Sequence, residues 1–176
     1  MQFFIGIVPS IEYKLKIIEF QQRWKNNIIT EAVEPHITLK AQGGLTPDIK
    51  WISKVKEVCS QFQSFQISLS KPMFFGDDVV YLSVNSKELY TLHNRIVRKI
   101  SPTNDLIKKY FELDDFVPHL TLGQTYYGLT KHELRDMAKL AKKELSPFPT
   151  FAVSFIRVYK EIETNKYEKY LDIPFS

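Results

Sequence analysis

Two short stretches of the chain, Glu34-Pro35-His36-Ile37-Thr38-Leu39-Lys40 and Val117-Pro118-His119-Leu120-Thr121-Leu122-Gly123, carry proline, histidine, threonine and leucine at identical offsets. The chain has only four histidines. A single His-x-Thr is an ordinary strand sequence, but average residue usage puts the chance that another histidine repeats all three neighbours on the order of 10⁻³. In an extended strand residues i and i+2 point the same way, so His36 and Thr38 share one face while Ile37 and Leu39 take the other. The same holds for His119 and Thr121. Two imidazoles and two hydroxyls around one cleft suit an in-line displacement at phosphorus. One group takes the nucleophile's proton, a second protonates the departing oxygen on the opposite side, and hydroxyl donors hold the non-bridging oxygens. Histidine titrates near neutrality and fits either proton-transfer role, and this chemistry calls for no metal or other cofactor.

The motifs lie far apart along the chain, so a fold must bring them together. Phe3 to Val8 is a short apolar run ended by Pro9-Ser10 and reads as a buried strand. Ser10 to about Asn26 is helical, with two apolar stripes, Ile11/Leu15/Ile18 and Tyr13/Ile17/Phe20/Trp24; one packs on the sheet, and the second reads as further intramolecular packing, with a docking surface on Tyr13/Ile17/Phe20/Trp24 as the alternative. Thr46-Pro47-Asp48 opens a helix continued by Ile52, Val55, Cys59 and Phe62. Phe65 to Leu69 and Val79 to Val84 read as a strand pair. Ser86 caps a helix carrying Leu89, His93, Ile96 and Ile100, and Thr130-Lys131-His132-Glu133 is a capping box opening another. Phe151 to Glu161 and Tyr167 to Ile173 are the last strands, and the polar segment Ser101 to Asp115 is the expected mobile loop. The second half nearly restates the first: a motif strand, a capped helix, a strand pair. The expectation is therefore one pseudo-symmetric, bilobal domain spanning residues 1–176.

Composition narrows the classes further. With 176 residues, 44% apolar and 25% charged, only 6 Gly and 9 Pro, the chain is an ordinary globular domain. The net charge of +4 suits a small anionic ligand or a nucleic acid end better than extended duplex. A lone Cys59, with no secretory signal and no apolar run long enough to span a bilayer, points to the cytoplasm. Gly123 to Thr130 has P-loop spacing but Leu129 stands where the lysine belongs, and Asp136 stands where a metalloprotease helix starting at His132-Glu133 needs its second histidine. His93 reads as a packing histidine and His132 as an exposed one.

The paired His-x-Thr motifs and the near-repeat of elements resemble the 2H phosphoesterase superfamily, which includes the RNA 2′,3′-cyclic phosphodiesterases also called 2′-5′ RNA ligases, and within it the small YjcG-like bacterial branch. The resemblance implies an α+β, pseudo-twofold fold with two antiparallel sheets facing a central cleft and helices outside. It also implies that His36 is the proton donor to the leaving ribose oxygen and His119 the proton acceptor from water, with Thr38 and Thr121 holding the phosphate. By strand parity Lys40 joins the His36 face as an attractor for phosphate, and Gly123 in the same place leaves the lobes electrostatically unequal. Phe74, Phe75, Tyr126, Tyr127, Arg157 and Tyr159 are candidates to line the cleft and stack on a base. The expected partner is a nucleotide or RNA end, bound by a monomer without membrane or metal. The alternative is a module that binds such ligands without turning them over.

Overall fold

Each apolar run forms an element where its periodicity lets one face enter a shared core. The computed structural model describes all 176 residues. In order they form β1 (Phe3–Ile7), α1 (Ile11–Gln21), α2 (Ile29–Ala32), β2 (Ile37–Lys40), α3 (Trp51–Ser60), β3 (Phe65–Phe75), β4 (Val79–Asn85), α4 (Lys87–Ile100), α5 (Asn104–Lys109), β5 (His119–Gln124), α6 (Lys131–Glu144), β6 (Thr150–Val153), β7 (Phe155–Glu163) and β8 (Lys166–Pro174), with 3₁₀ turns at Leu113–Asp115 and Thr125–Tyr127. No helix is long and apolar enough to cross a membrane.

All strand pairs are antiparallel, and the strand order is β6-β3-β4-β5-β2-β1-β7-β8. Counting outward from the β5–β2 seam, β4 matches β1, β3 matches β7 and β6 matches β8, which is the pseudo-twofold expected from the repeat. The two antiparallel sheets are continuous at this seam. They join through the pair Ile37 and Leu120, giving one eight-stranded sheet. Only Ser154 separates β6 on one edge from β7 near the other, and its carbonyl accepts from the Phe175 N–H at 2.9 Å, so the sheet bends until its edges meet. The run predicted as one strand from Phe151 thus splits at Ser154 and serves both halves.

Ile37, Leu39, Leu120 and Leu122 are fully buried and join one apolar cluster with residues of α1, α3, α4 and α6. Helix caps follow the sequence: Ser86 accepts from the Leu89 N–H, and Thr130 and Glu133 form the reciprocal capping box. The Thr46-Pro47-Asp48 start does not hold. Ile49 takes a left-handed φ of 56° and ends that turn, Asp48 accepts from Thr46 and from the Lys50 N–H, and α3 begins only at Trp51. Of the second stripe, Tyr13, Ile17 and Phe20 are buried and Trp24 packs partly buried against the core, which gives the packing reading and not the docking alternative; Ile11 and Leu15 face solvent instead.

The segment expected to be a mobile loop contains α5 and is hydrogen-bonded to His93. His93 Nδ1 donates to the Leu39 carbonyl at 2.7 Å, Nε2 accepts from the Leu113 N–H at 2.9 Å, and the ring stacks on Phe116 at 3.7 Å. This use of both nitrogens requires the neutral imidazole, and burial depresses its pKa to about 4. An unfolded histidine titrates near 6.5, so between those values the unfolded chain binds more protons and stability falls as pH falls. Urea midpoints measured from pH 7 to 4.5 should decline, with His93 contributing on the order of 1 kcal/mol per pH unit below about 6, and a His93→Gln variant should show a shallower decline.

Candidate active site

Antiparallel pairing of Ile37 with Leu120 fixes what lies beside each histidine. One step along the strands sets Thr38 next to His119 and His36 next to Thr121, all four pointing away from the buried Ile37 and Leu120. Direct cross-strand neighbours have Cβ atoms about 5 Å apart, and diagonal ones, here the two histidines, lie roughly 7–8 Å apart. The four motif side chains therefore share one small patch.

Both rings are held the same way. His36 Nδ1 donates to the Glu34 carbonyl at 2.8 Å, and His119 Nδ1 donates to the Val117 carbonyl at 2.7 Å. A carbonyl can only accept, so each neutral ring carries its proton on Nδ1 and leaves Nε2 as the base. The Thr38 hydroxyl lies 3.2 Å from His36 Nε2 and donates to it. Burial drives the His36 pKa down to about 4 against the opposing pull of the Glu34 carbonyl, and the nearby His119 adds to the depression. Burial also lowers the His119 pKa, partly offset by the Val117 carbonyl.

Each imidazole is braced by a stacked aromatic pair from the two strands beyond its own. Phe4 on β1 and Tyr159 on β7 stack at 4.7 Å and lie 4.9 and 5.5 Å from the His36 ring. Tyr81 on β4 and Phe75 on β3 stack at 4.2 Å and lie 5.3 and 4.9 Å from His119. Phe4 and Tyr81 are hidden in runs that read as core. Gly6 carries a visible signal, since glycine inside a strand marks a close approach. A Cβ there would sit 3.0 Å from the Tyr159 ring and 3.4 Å from the His36 ring.

Lys40 does not join the histidine face. On β2 the register passes from Thr38 opposite Gly6 to Lys40 opposite Ile5, so Leu39 is an extra residue, and the bulge turns Lys40 to the core side. Its ammonium is fully buried and gives its three protons to the Ala41 carbonyl, the Gly43 carbonyl and Glu112 Oε1, at 2.8, 2.6 and 3.0 Å. Burial pulls the Lys40 pKa down and pushes Glu112 up, while their attraction opposes both shifts. The matching bulge at Leu122 turns Gly123 inward, where a Cβ would come within 2.5 Å of Leu129 and 2.9 Å of Met137. The electrostatic difference between the halves sits instead at Glu34 and its counterpart Val117. Glu34 accepts from Lys14, Arg157 and Tyr159 at 2.8, 2.7 and 2.8 Å, and these partners outweigh burial and hold its pKa below the ordinary carboxylate value.

A cavity of about 580 Å³ opens beside the motifs, reaching Thr38, His119 and Thr121 and extending to Phe75, Val79 and residues of segment 110–117. Of the seven side chains expected to bind substrate, only Phe75 lines it. Phe74 alternates away, on the face of the buried Val80. Arg157 is engaged by Asp172, with bonds of 2.7 and 3.0 Å, and by Glu34, while Tyr159 is buried and packs beside His36. Tyr126 and Tyr127 lie in the 3₁₀ turn beyond β5; Tyr126 is exposed and its hydroxyl accepts from Asn165 at 2.7 Å. His132 is a surface residue beside Asp136.

Comparison with known proteins points to one family. The 2′-5′ RNA ligase superfamily matches residues 16–164. A protein of Methanocaldococcus jannaschii named RNA 2′,3′-cyclic phosphodiesterase is 27% identical over 173 residues, 93% of each chain. Among solved structures, a Thermus thermophilus protein aligns with a TM-score of 0.63 at 13% identity, over 99% of this chain and 98% of that one. E. coli LigT complexed with 3′-AMP aligns with a TM-score of 0.61 at 16% identity, over the same shares. Both structures share the fold. With the family pattern extending over most of its length, the chain belongs to the 2′-5′ RNA ligase superfamily of 2H phosphoesterases.

Proposed function

We propose that the protein is a metal-independent phosphoesterase that hydrolyses a 2′,3′-cyclic phosphate, or a 2′-5′ phosphodiester, of a nucleotide or RNA end. The observation that carries this reading is the patch of His36, Thr38, His119 and Thr121 on one face of the β2–β5 seam, with each ring's Nδ1 tied to a carbonyl. The name of the M. jannaschii relative favours the cyclic phosphate.

In this reaction His119 Nε2 takes a proton from water as the water oxygen bonds to phosphorus. The bond from phosphorus to one ribose oxygen breaks, and His36, protonated on Nε2, gives that oxygen its proton, leaving a phosphomonoester beside a free hydroxyl. Thr38 and Thr121 donate to the non-bridging oxygens. Burial holds both pKa values below ordinary histidine, and a bound phosphodiester anion favours the imidazolium that His36 needs. The backbone carbonyls of Glu34 and Val117 keep Nε2 directed at the substrate throughout.

His36→Ala and His119→Ala should each lower turnover of 2′,3′-cyclic nucleotides on the order of 10²–10⁴-fold while circular dichroism stays unchanged, and EDTA should have no effect. Full activity in either variant refutes the mechanism; nucleotide binding without product from the wild type would establish the non-catalytic module instead. Activity should follow a bell in pH, and each alanine variant should lose the limb set by its histidine. Gly6→Ala, which crowds His36 and Tyr159 without touching the substrate, should reduce kcat by roughly tenfold with little change in KM. Unchanged kcat in that variant would show that the ring tolerates displacement.

A further inference from the structure

Segment 110–117 forms much of the cavity wall, and one of its residues is exposed for no reason the fold supplies. Phe111 is 70% exposed although it borders an apolar cavity that also contains His119 and Thr121. Its φ is 53° and that of Leu113 is 58°, a left-handed conformation that bulky residues adopt only when their surroundings impose it. Those surroundings are the residues in between and beyond. Glu112 is gripped by the buried Lys40, and the Leu113 N–H is held by His93 Nε2. Two buried polar anchors, both acting on the residues directly after Phe111, thus fix a strained turn that begins with an aromatic side chain presented outward. A turn serving only to connect α5 to β5 has no need of that arrangement.

We propose that Phe111 is the stacking face for the substrate's nucleobase and that the cavity is the nucleoside subsite, with the phosphate held by the four motif side chains. The proposal rests on the phosphoesterase reading and adds where the base sits. The volume of about 580 Å³ lies within the range of small-ligand sites. The cavity's walls are rich in apolar and aromatic residues, among them Phe75, Val79 and Phe116, which suits stacking on any base over recognition of one base edge. Lys40 and Glu112 act as positioning residues that hold the platform.

The test compares 2′,3′-cyclic AMP with a base-free substrate, methyl riboside 2,3-cyclic phosphate, on wild type, Phe111→Ala and Phe111→Trp. Phe111→Ala should raise KM for the nucleotide on the order of tenfold with kcat within about threefold, and leave the base-free substrate unaffected. Phe111→Trp should restore KM. An unchanged KM, or an equal change for both substrates, overturns the proposal. Because Phe111 is mostly exposed, its truncation should spare the core, which a urea midpoint checks. Calorimetry with adenosine 2′- and 3′-monophosphate reads the subsite without turnover: weaker binding by Phe111→Ala supports it and equal binding refutes it. An inactive wild type would therefore sink the phosphoesterase reading while this measurement still decides the subsite.

Discussion

The antiparallel contact between β2 and β5, marked by Ile37 against Leu120, is the constraint on which the site depends. It is short, yet it does three things together. It joins the two halves of the sheet, sends four leucine and isoleucine side chains of the motif strands into one core, and thereby forces His36, Thr38, His119 and Thr121 onto the opposite face. A slip of one residue at this seam would set the histidines out of step and move one motif's polar pair toward the core, a large penalty for buried groups without partners. Apolar packing behind the sheet thus enforces the polar geometry in front of it.

Around that seam the pseudo-twofold is obeyed at the two histidines and broken behind them. Each histidine has the same tautomer lock, a stacked aromatic pair from the next two strands, and a leucine bulge directly after its motif threonine. The halves part company in what lies behind the rings. Behind His36 an ionic cluster of Glu34, Arg157, Asp172 and Lys14 fills the space, and beside His119 the same position is the apolar Val117 at a cavity wall. Two similar imidazoles are thereby set in unlike electrostatic surroundings, which supports the unlike protonation roles proposed for them.

The motifs, the α+β repeat and most helix caps are legible in the sequence because they are local: a strand's alternation, a capping hydroxyl and a duplicated tetrad can be read within a few residues. Sequence and structure part where one extra residue or a distant partner intervenes. Parity puts Lys40 on the histidine face, and the bulge at Leu39 reverses it. Arg157 and Tyr159 look available, yet Glu34, more than 120 residues away, bonds both. The segment around Phe111 reads as a loose polar loop because its anchors, Lys40 and His93, belong to other elements.

By itself, then, the sequence determined which groups could do the chemistry and the strand and helix periods that carry them, since those depend on neighbours along the backbone. Only the tertiary structure decided which polar groups remained free to meet a substrate. That outcome depends on bulges, on cross-strand register and on which partner each buried charge meets, and each of these is settled between residues that the chain order keeps far apart.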